Sequence, residues 1–269
     1  MHHLPIAPKL QDNIEYRHHQ SGHRMDDHPN IYDEPSFFEG YSRLPRSLDG
    51  LEGAPEWPVL RDMLPDMQGL RVVDLGCGWG WFCRWARENG AAHVHGIDLS
   101  SRMLAHACAN TSDPTIVYEL GSLEHLTLPA GSFDLAYSSL AFHYISDAAR
   151  LYAEIARCLR PGGHLVFSTE HPVYMAAARP GWVTSESGEK VWPVDSYFAE
   201  GPRRTDWITK DVLKYHRTIG TTLNLLIRSG FRIEQVEEFC PTAEQISARP
   251  ALADELQRPT FLLVAALRA

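Results

Sequence analysis

The sequence predicts an α/β chain built on a doubly wound, mostly parallel sheet of seven strands. Three observations carry that prediction. Seven short strand-like runs recur along the chain, segments with helical spacing follow the first, second and fourth, and a glycine-rich loop joins the first strand to the helix after it. Strands alternating with helices indicate a parallel sheet covered on both faces.

The elements follow in order. RVVDL (71–75) is the first strand and ends in an acid and the glycine loop. WFCRWAREN (81–89) groups Trp81, Phe82, Trp85 and Ala86 at helical spacing, with Gly90 as the stop. HVHGID (93–98) is the second strand, and Ser100 can cap the helix SRMLAHACA behind it. TIVYEL (115–120), FDLAYSS (133–139) and HLVFSTE (164–170) are further strands. Between the last two, Leu151, Ile155 and Leu159 share one helical face that Pro161-Gly162-Gly163 terminates. A final helix presents Ile219, Leu223, Leu226 and Ile227 and stops at Gly230; strands 231–239 and 260–268 finish the chain.

The segment from Pro172 to about Asp211 breaks this rhythm, holding Trp182, Trp192, Tyr197, Phe198 and Trp207 among glycine and proline. A long insert this rich in aromatics reads as a lid over an active site, although the same rings would also serve simply to fix the insert to the body. Residues 1–24 read as a disordered arm, with His2, His3, His18, His19 and His23 but no apolar periodicity or fixed metal-ligand spacing, which leaves 25–269 as a single domain. Met25 is then a candidate natural start.

Composition narrows the function classes. With 269 residues, 44% of them apolar, the chain can bury one substantial core. The formal charge of −9 opposes nucleic-acid binding, and no apolar stretch is long enough for a membrane span. The N-terminus has no charged-then-apolar leader pattern, and the five cysteines are scattered without a C-x-x-C pair, so a reducing cytoplasm is expected. Arg203, Arg204, Lys210, Lys214 and Arg217 form a basic run interleaved with Asp206 and Asp211; it reads as a solvated, charge-mixed face, or more pointedly as a rim attracting an anionic small substrate. No metal-ligand cluster is present in the sequence, and no metal is assigned.

Chemistry concentrates in VVDLGCGWG, where Gly76, Gly78 and Gly80 let the backbone turn tightly and approach a ligand, with Cys77 between them. A dinucleotide fingerprint would need its third glycine at 81, which is Trp81, and the Gly-Lys-Ser/Thr ending of a P-loop is absent. Asp74, immediately before the loop, would repel a pyrophosphate but suits an ammonium group. S-adenosylmethionine (SAM) carries an ammonium, a sulfonium and no phosphate. Asp98, ending the second strand, can accept both ribose hydroxyls, at about 1.5–3 kcal/mol per charged hydrogen bond. Leu99 and Met103 can flank the adenine.

These residues resemble the class I SAM-dependent methyltransferases, in particular the small-molecule branch that includes the ubiquinone-biosynthesis enzymes. The resemblance covers about 71–169 well and 215–239 more loosely. VVDLGCGWG and GIDLS resemble the family's first two motifs, FDLAYSSLAFHYISD the fourth, and LRPGGHLVFS the strand-five signature. Gly121-Ser122-Leu123-Glu124 resembles the loop that usually reads Gly-Asp-Ala-Glu, with Ser122 replacing the aspartate that contacts the adenine amino group. The resemblance implies the family's Rossmann-like fold, SAM as cofactor, and methyl transfer to an O, N or C atom of a small molecule. A macromolecular acceptor (RNA or protein) and a non-catalytic SAM-binding module are the alternatives. It also places Tyr41 and Arg46 over the cofactor, where Arg46 or a neighbour such as Arg43 can pair with its carboxylate.

Methyl transfer needs alignment of the nucleophile and management of its proton. Side chains after the fourth and fifth strands are the candidates: Ser138 beside the cofactor, His143 as general base or cofactor contact, and Glu170 and His171 leading into the insert. His216 precedes the last helix and can reach the same cleft, or sit on the surface. Trp182, Trp192, Arg203 and Arg204 are the expected acceptor-binding residues of the lid.

Overall fold

The computed structural model describes residues 30–269; the arm over 1–24 and the start at Met25 lie outside the described residues. A 3-10 turn, Ile31–Asp33, leads into α1 (Pro35–Ser42) and α2 (Pro45–Leu48), and a second turn, Gly50–Gly53, into α3 (Trp57–Asp62). All three helices carry proline in their first turn, where the missing N–H leaves no partner unsatisfied.

The α/β body then runs β1 (Arg71–Leu75), α4 (Trp81–Glu88), β2 (His93–Asp98), α5 (Ser101–Ala109), β3 (Ile116–Leu120), β4 (Phe133–Ser139), α6 (Ala148–Cys158) and β5 (Leu159–Glu170). After β5 come α7 (Pro172–Ala176), the two-residue strands β6 (Val183–Thr184) and β7 (Lys190–Val191), and the hairpin β8 (Gly201–Trp207) and β9 (Thr209–His216). The chain closes with α8 (Ile219–Arg228), β10 (Phe231–Glu238), α9 (Ala243–Ala248) and β11 (Phe261–Arg268).

Seven strands form one sheet in the order β10-β11-β5-β4-β1-β2-β3, with β11 antiparallel to both neighbours. Strand alternation divides the core between the two faces. Val73, Leu75, Ala136, Leu165 and Phe167 pack with Leu151 and Ile155 of α6 and Leu226 of α8. Val72, Val94, Leu135, Tyr137 and Val166 pack with Trp57, Leu60, Phe82 and Leu104. Strand β4 is buried on both faces except at Ser139, as a central strand covered by helices on either side should be. Ser100, Asp147 and Thr218 cap their helices through their side chains.

The strand order reverses between β1 and β4, so the crevice for a ligand opens at their carboxyl ends. Two features differ from the sequence reading. The 172–211 insert is not one lid, because its last part pairs with 209–216 as a hairpin. The stretch between β10 and β11 is a second cap, made of α9 and the 3-10 turn Pro250–Leu256.

Candidate active site

A cavity of 810 Å³ occupies this crevice, within the usual size of small-molecule sites. Its floor is the carboxyl edge of β1, β2, β4 and β5, and three cap elements wall it: the N-terminal segment, the β8–β9 hairpin, and the α9 region. The caps lock onto each other. Gly40 lies so close to Ile208 at the hairpin tip that a Cβ there would come within 2.4 Å of its side chain. Trp207 stands edge-on to Phe37 and Tyr41, at 5.5 and 6.4 Å between centroids. Gln245 Nε2 donates to Pro55 O at 2.7 Å, tying α9 to the N-terminal wall.

The glycine loop forms one end. Gly76 N and Cys77 N both donate to Ile97 O, at 2.8 and 3.0 Å, which folds the loop back over β2. Gly78 and Gly80 take φ of 52° and 72°, and a Cβ at Gly80 would come within 2.1 Å of the Tyr118 hydroxyl. The fold of the loop aims Gly78 N at Asp98 Oδ2 (2.8 Å), while Ser100 N donates to Oδ1 (2.8 Å). Burial pushes the Asp98 carboxyl up to about 6, against the pull of those backbone N–H groups.

Asp74 is 2% exposed, its carboxylate accepts from Cys83 Sγ at 3.3 Å, and it has no ion-pair partner among the described residues. Burial pushes it up to about 7, and nearby Asp98 adds to the rise. Buried Asp74 and half-buried Asp98, without an ion-pair partner among the described residues, concentrate negative charge at this end and suit a positively charged group. Leu99, Met103, Ser122 and Leu123 line the same end; Ser122 caps its short turn by accepting from Glu124 N. Tyr41 and Arg46 line the adjoining wall, where Arg46 Nη2 donates to both oxygens of buried Glu56 at 3.1 and 3.3 Å. Arg43 is instead paired with Glu39 on the surface.

After β4 the backbone reverses through Leu140, a non-glycine residue at φ 55°. Such a conformation is strained for leucine and marks a functional turn. It carries the chain past Ser139 and Ala141 to His143 and Tyr144, all on the cavity wall. His143 is 4% exposed, and its Nδ1 accepts from Glu170 N at 3.4 Å. Burial, with Lys214, Arg217 and Arg46 nearby, holds its pKa well below the ordinary histidine value, so it is neutral throughout the neutral range. At the end of β5, Glu170 faces the cavity, with Oε1 bound by Lys214 Nζ. Burial raises the Glu170 carboxyl while Lys214 opposes the rise.

Several candidate residues lie elsewhere. Ser138 is fully buried and donates to Leu75 O at 2.7 Å, stitching β4 to β1; Ser139 takes its place on the wall. His171 is fully buried at the start of α7, its Nδ1 accepting from Val173 N as a helix cap and its Nε2 2.8 Å from Glu238. His216 closes the hairpin through Nε2 and Tyr197 O, 2.8 Å apart. Neither histidine borders the cavity. Trp182 and Trp192 also stand outside it, and with Tyr174 they enclose the Arg258 guanidinium at 5.4, 4.2 and 4.6 Å. Arg203 donates to the carbonyls of Ala176, Ser196 and Ala199, and Arg204 pairs with Asp211. Four of the five cations of the basic run are thus engaged by neighbouring groups, and Lys210 is exposed. Lys214 is 1% exposed on Glu170, and Arg217 donates to Ile145 O and Ser146 O.

Of the insert aromatics, Trp207 borders the cavity, and Tyr32, Tyr144, Tyr174, Arg249 and Glu255 are among the lining residues not singled out from sequence. The Thr242-x-x-Gln245 capping box was the available signal for the α9 cap, and the β-branched alternation around Thr209–Val212 for the hairpin. Among the described residues, no helix is long and apolar enough to cross a membrane.

Comparison with known proteins adds the family. The family model for a methyltransferase domain matches residues 73–167. The chain is similar to the crystal structure of a SAM-dependent methyltransferase from Mesorhizobium loti, at 64% identity and TM-score 0.79, covering 81% of this chain and 100% of that one. An uncharacterized protein of Haemophilus influenzae is 34% identical over 251 residues, 90% of this chain and 98% of that protein. The malonyl-[acyl-carrier protein] O-methyltransferase of Erwinia billingiae is 43% identical over 103 residues, 38% of this chain and 39% of that enzyme.

Proposed function

The chain belongs to the SAM-dependent methyltransferases, and we propose that it methylates a small molecule bound in the cavity beside the cofactor. The observation that carries this reading is the cavity of 810 Å³ that three cap elements wall above the carboxyl edge of the sheet. A chamber of this size suits a metabolite. The net charge of −9 and the pairing of Arg204 and Lys214 with acids point the same way.

In this reading the cofactor lies along the glycine loop. Asp98 accepts the ribose hydroxyls with the lone pairs that Gly78 N and Ser100 N leave free. Asp74 faces the ammonium end, and its buried carboxylate without a cationic partner is the feature that fits SAM best. Leu99, Met103, Ser122 and Leu123 receive the adenine. Arg46 serves the cofactor carboxylate, and Arg249, whose guanidinium has no hydrogen bond or ion pair among the described residues, adds a second cation on the wall that Gln245 ties to Pro55. Bound SAM supplies the activated methyl group; the protein's part is alignment, exclusion of water and proton handling.

Glu170 and His143 border the acceptor half. Both are candidates to accept the proton of the nucleophile: burial lowers the pKa of His143 and leaves its ring neutral, and burial raises the Glu170 carboxyl against the pull of Lys214. The test is calorimetric titration with SAM, followed by a coupled assay for S-adenosylhomocysteine release with a panel of small metabolites. SAM binding with turnover on one class of metabolite is expected. Micromolar SAM binding with turnover only on RNA or protein would overturn the small-molecule reading.

A further inference from the structure

His143 follows the strained turn after β4, is 4% exposed, and borders the cavity. The 3-10 turn Phe142–Tyr144 holds its ring, and Phe142 anchors that turn on Phe167 of β5, at 5.0 Å between centroids. Only one of the two ring nitrogens is used within the protein. Glu170 N donates to Nδ1 at 3.4 Å, and Nε2 makes no hydrogen bond among the described residues. A ring nitrogen that accepts from a backbone N–H carries no proton, so the neutral ring has its proton on Nε2.

The surroundings keep the ring neutral. Burial disfavours the imidazolium, and the charged groups acting on the ring, Lys214, Arg217 and Arg46, are all cations. Arg217 has no ion-pair partner among the described residues; it donates to Ile145 O and Ser146 O, in the chain just after His143. Glu170 and Tyr144 are the other titratable groups beside the ring. Lys214 holds the Glu170 carboxylate, and burial raises the Tyr144 phenol, which stays protonated. A field that disfavours a cation on the ring favours an anion next to it.

We propose that His143 holds the methyl acceptor as a hydrogen-bond donor, through Nε2–H, and that the reacting atom is an oxygen carried as an anion, as in a carboxylate. The inference rests on the methyltransferase reading above and names its substrate class. Lone pairs decide between oxygen and nitrogen. An anionic oxygen can accept from Nε2–H with one lone pair and attack the methyl group with another. A neutral amine has one lone pair and cannot do both, and an ammonium has none and is repelled by the same cations.

In the transfer, an oxygen lone pair forms the O–CH3 bond as the S–CH3 bond breaks, and that bonding pair stays on sulfur. Carboxylate and sulfonium thus give a methyl ester and a neutral thioether. No proton moves, so a ring that cannot serve as a base at neutral pH still serves the reaction.

The first test needs no substrate. Nitrogen-15 NMR of the full chain with labelled histidine, assigned against His143→Gln, should show His143 protonated at Nε2 and bare at Nδ1, without titration from about pH 6 to pH 9. A proton on Nδ1, or a titration in that range, would overturn the donor role. The second test titrates phenylacetate, benzyl alcohol and benzylamine into the chain saturated with S-adenosylhomocysteine. The carboxylate should bind at least about tenfold more tightly than the other two and shift the His143 Nε2 signal. His143→Gln, whose amide still donates, should keep most of that preference, and His143→Phe should lose it. The melting temperature of His143→Phe shows whether it folds; where it does not, the Nε2 shift on phenylacetate binding decides. Tighter binding of the alcohol or the amine, no binding of phenylacetate, an unmoved Nε2 signal, or a preference that survives in folded His143→Phe would overturn the assignment. Failure to bind S-adenosylhomocysteine at all would instead overturn the cofactor reading on which it rests.

Discussion

Replacing Asp74 with asparagine should move stability and cofactor affinity in opposite directions. Burial raises the Asp74 carboxyl from the ordinary carboxylate range to about 7. At about 1.4 kcal/mol per tenfold, that rise is worth about 4 kcal/mol. The folded-state value lies above the unfolded one, so Asp74 favours the folded chain fully at pH below about 4, and this contribution is lost as pH rises through about 7. At pH 8 the protein without cofactor therefore holds a buried charge that the neutral amide would not. Asp74→Asn should raise the urea midpoint of the cofactor-free protein at pH 8, by an amount that shrinks towards zero near pH 4. The same change should weaken SAM binding about tenfold to a hundredfold, the worth of one hydrogen bond to a charged group. SAM affinity of the unaltered protein should fall about tenfold from pH 8 to pH 6, as the ionised fraction of Asp74 drops from about nine tenths to about one tenth. Asp74→Asn should abolish most of that slope. A variant that is less stable at pH 8 and binds SAM as tightly as the parent would refute the reasoning.

Further consequences follow from the placement of individual side chains. Asp98→Ala should weaken SAM by at least about tenfold in calorimetry, because it removes the acceptor for the ribose and frees Gly78 N and Ser100 N. Trp192→Ala should lower the melting temperature by uncovering Arg258 while leaving kcat within about twofold, since the ring lies outside the cavity; a loss of kcat at unchanged stability would restore the lid reading. His216→Ala should cost about 1 kcal/mol through the lost contact with Tyr197 O and leave the pH–rate profile unchanged, which kinetics across pH 6–9 would check.

The fold was legible because each strand of the body carries its own signal. The β-branched runs, the Ser100 and Thr218 caps and the glycine stops agree locally with the sheet they join, and the observed strands match the expected ones to within a few residues except β5, which starts earlier, at Leu159. The cofactor end was legible for a related reason: its residues follow directly from strand ends, so position along the chain fixes position in space. The far end of the cavity was legible only in part: His143 and Glu170, read from the ends of the fourth and fifth strands, border it, and His171, His216, Trp182 and Trp192 do not. Whether an aromatic or a histidine faces a cavity depends on partners far away in sequence. Trp182 and Trp192 are drawn to Arg258, His171 to Glu238, and Lys214 to Glu170. No spacing within 172–211 reveals those partners; of the insert's tryptophans only Trp207 borders the cavity, and the rest of the wall includes Tyr144 and the stretch after α9.

The most direct test of this account is a crystal structure of the protein with S-adenosylhomocysteine. The account predicts both ribose hydroxyls on Asp98, the amino group towards Asp74, and the sulfur facing the space between His143 and Glu170. A cofactor whose sulfur points away from Glu170, or whose ribose lies beyond hydrogen-bonding reach of Asp98, would contradict it.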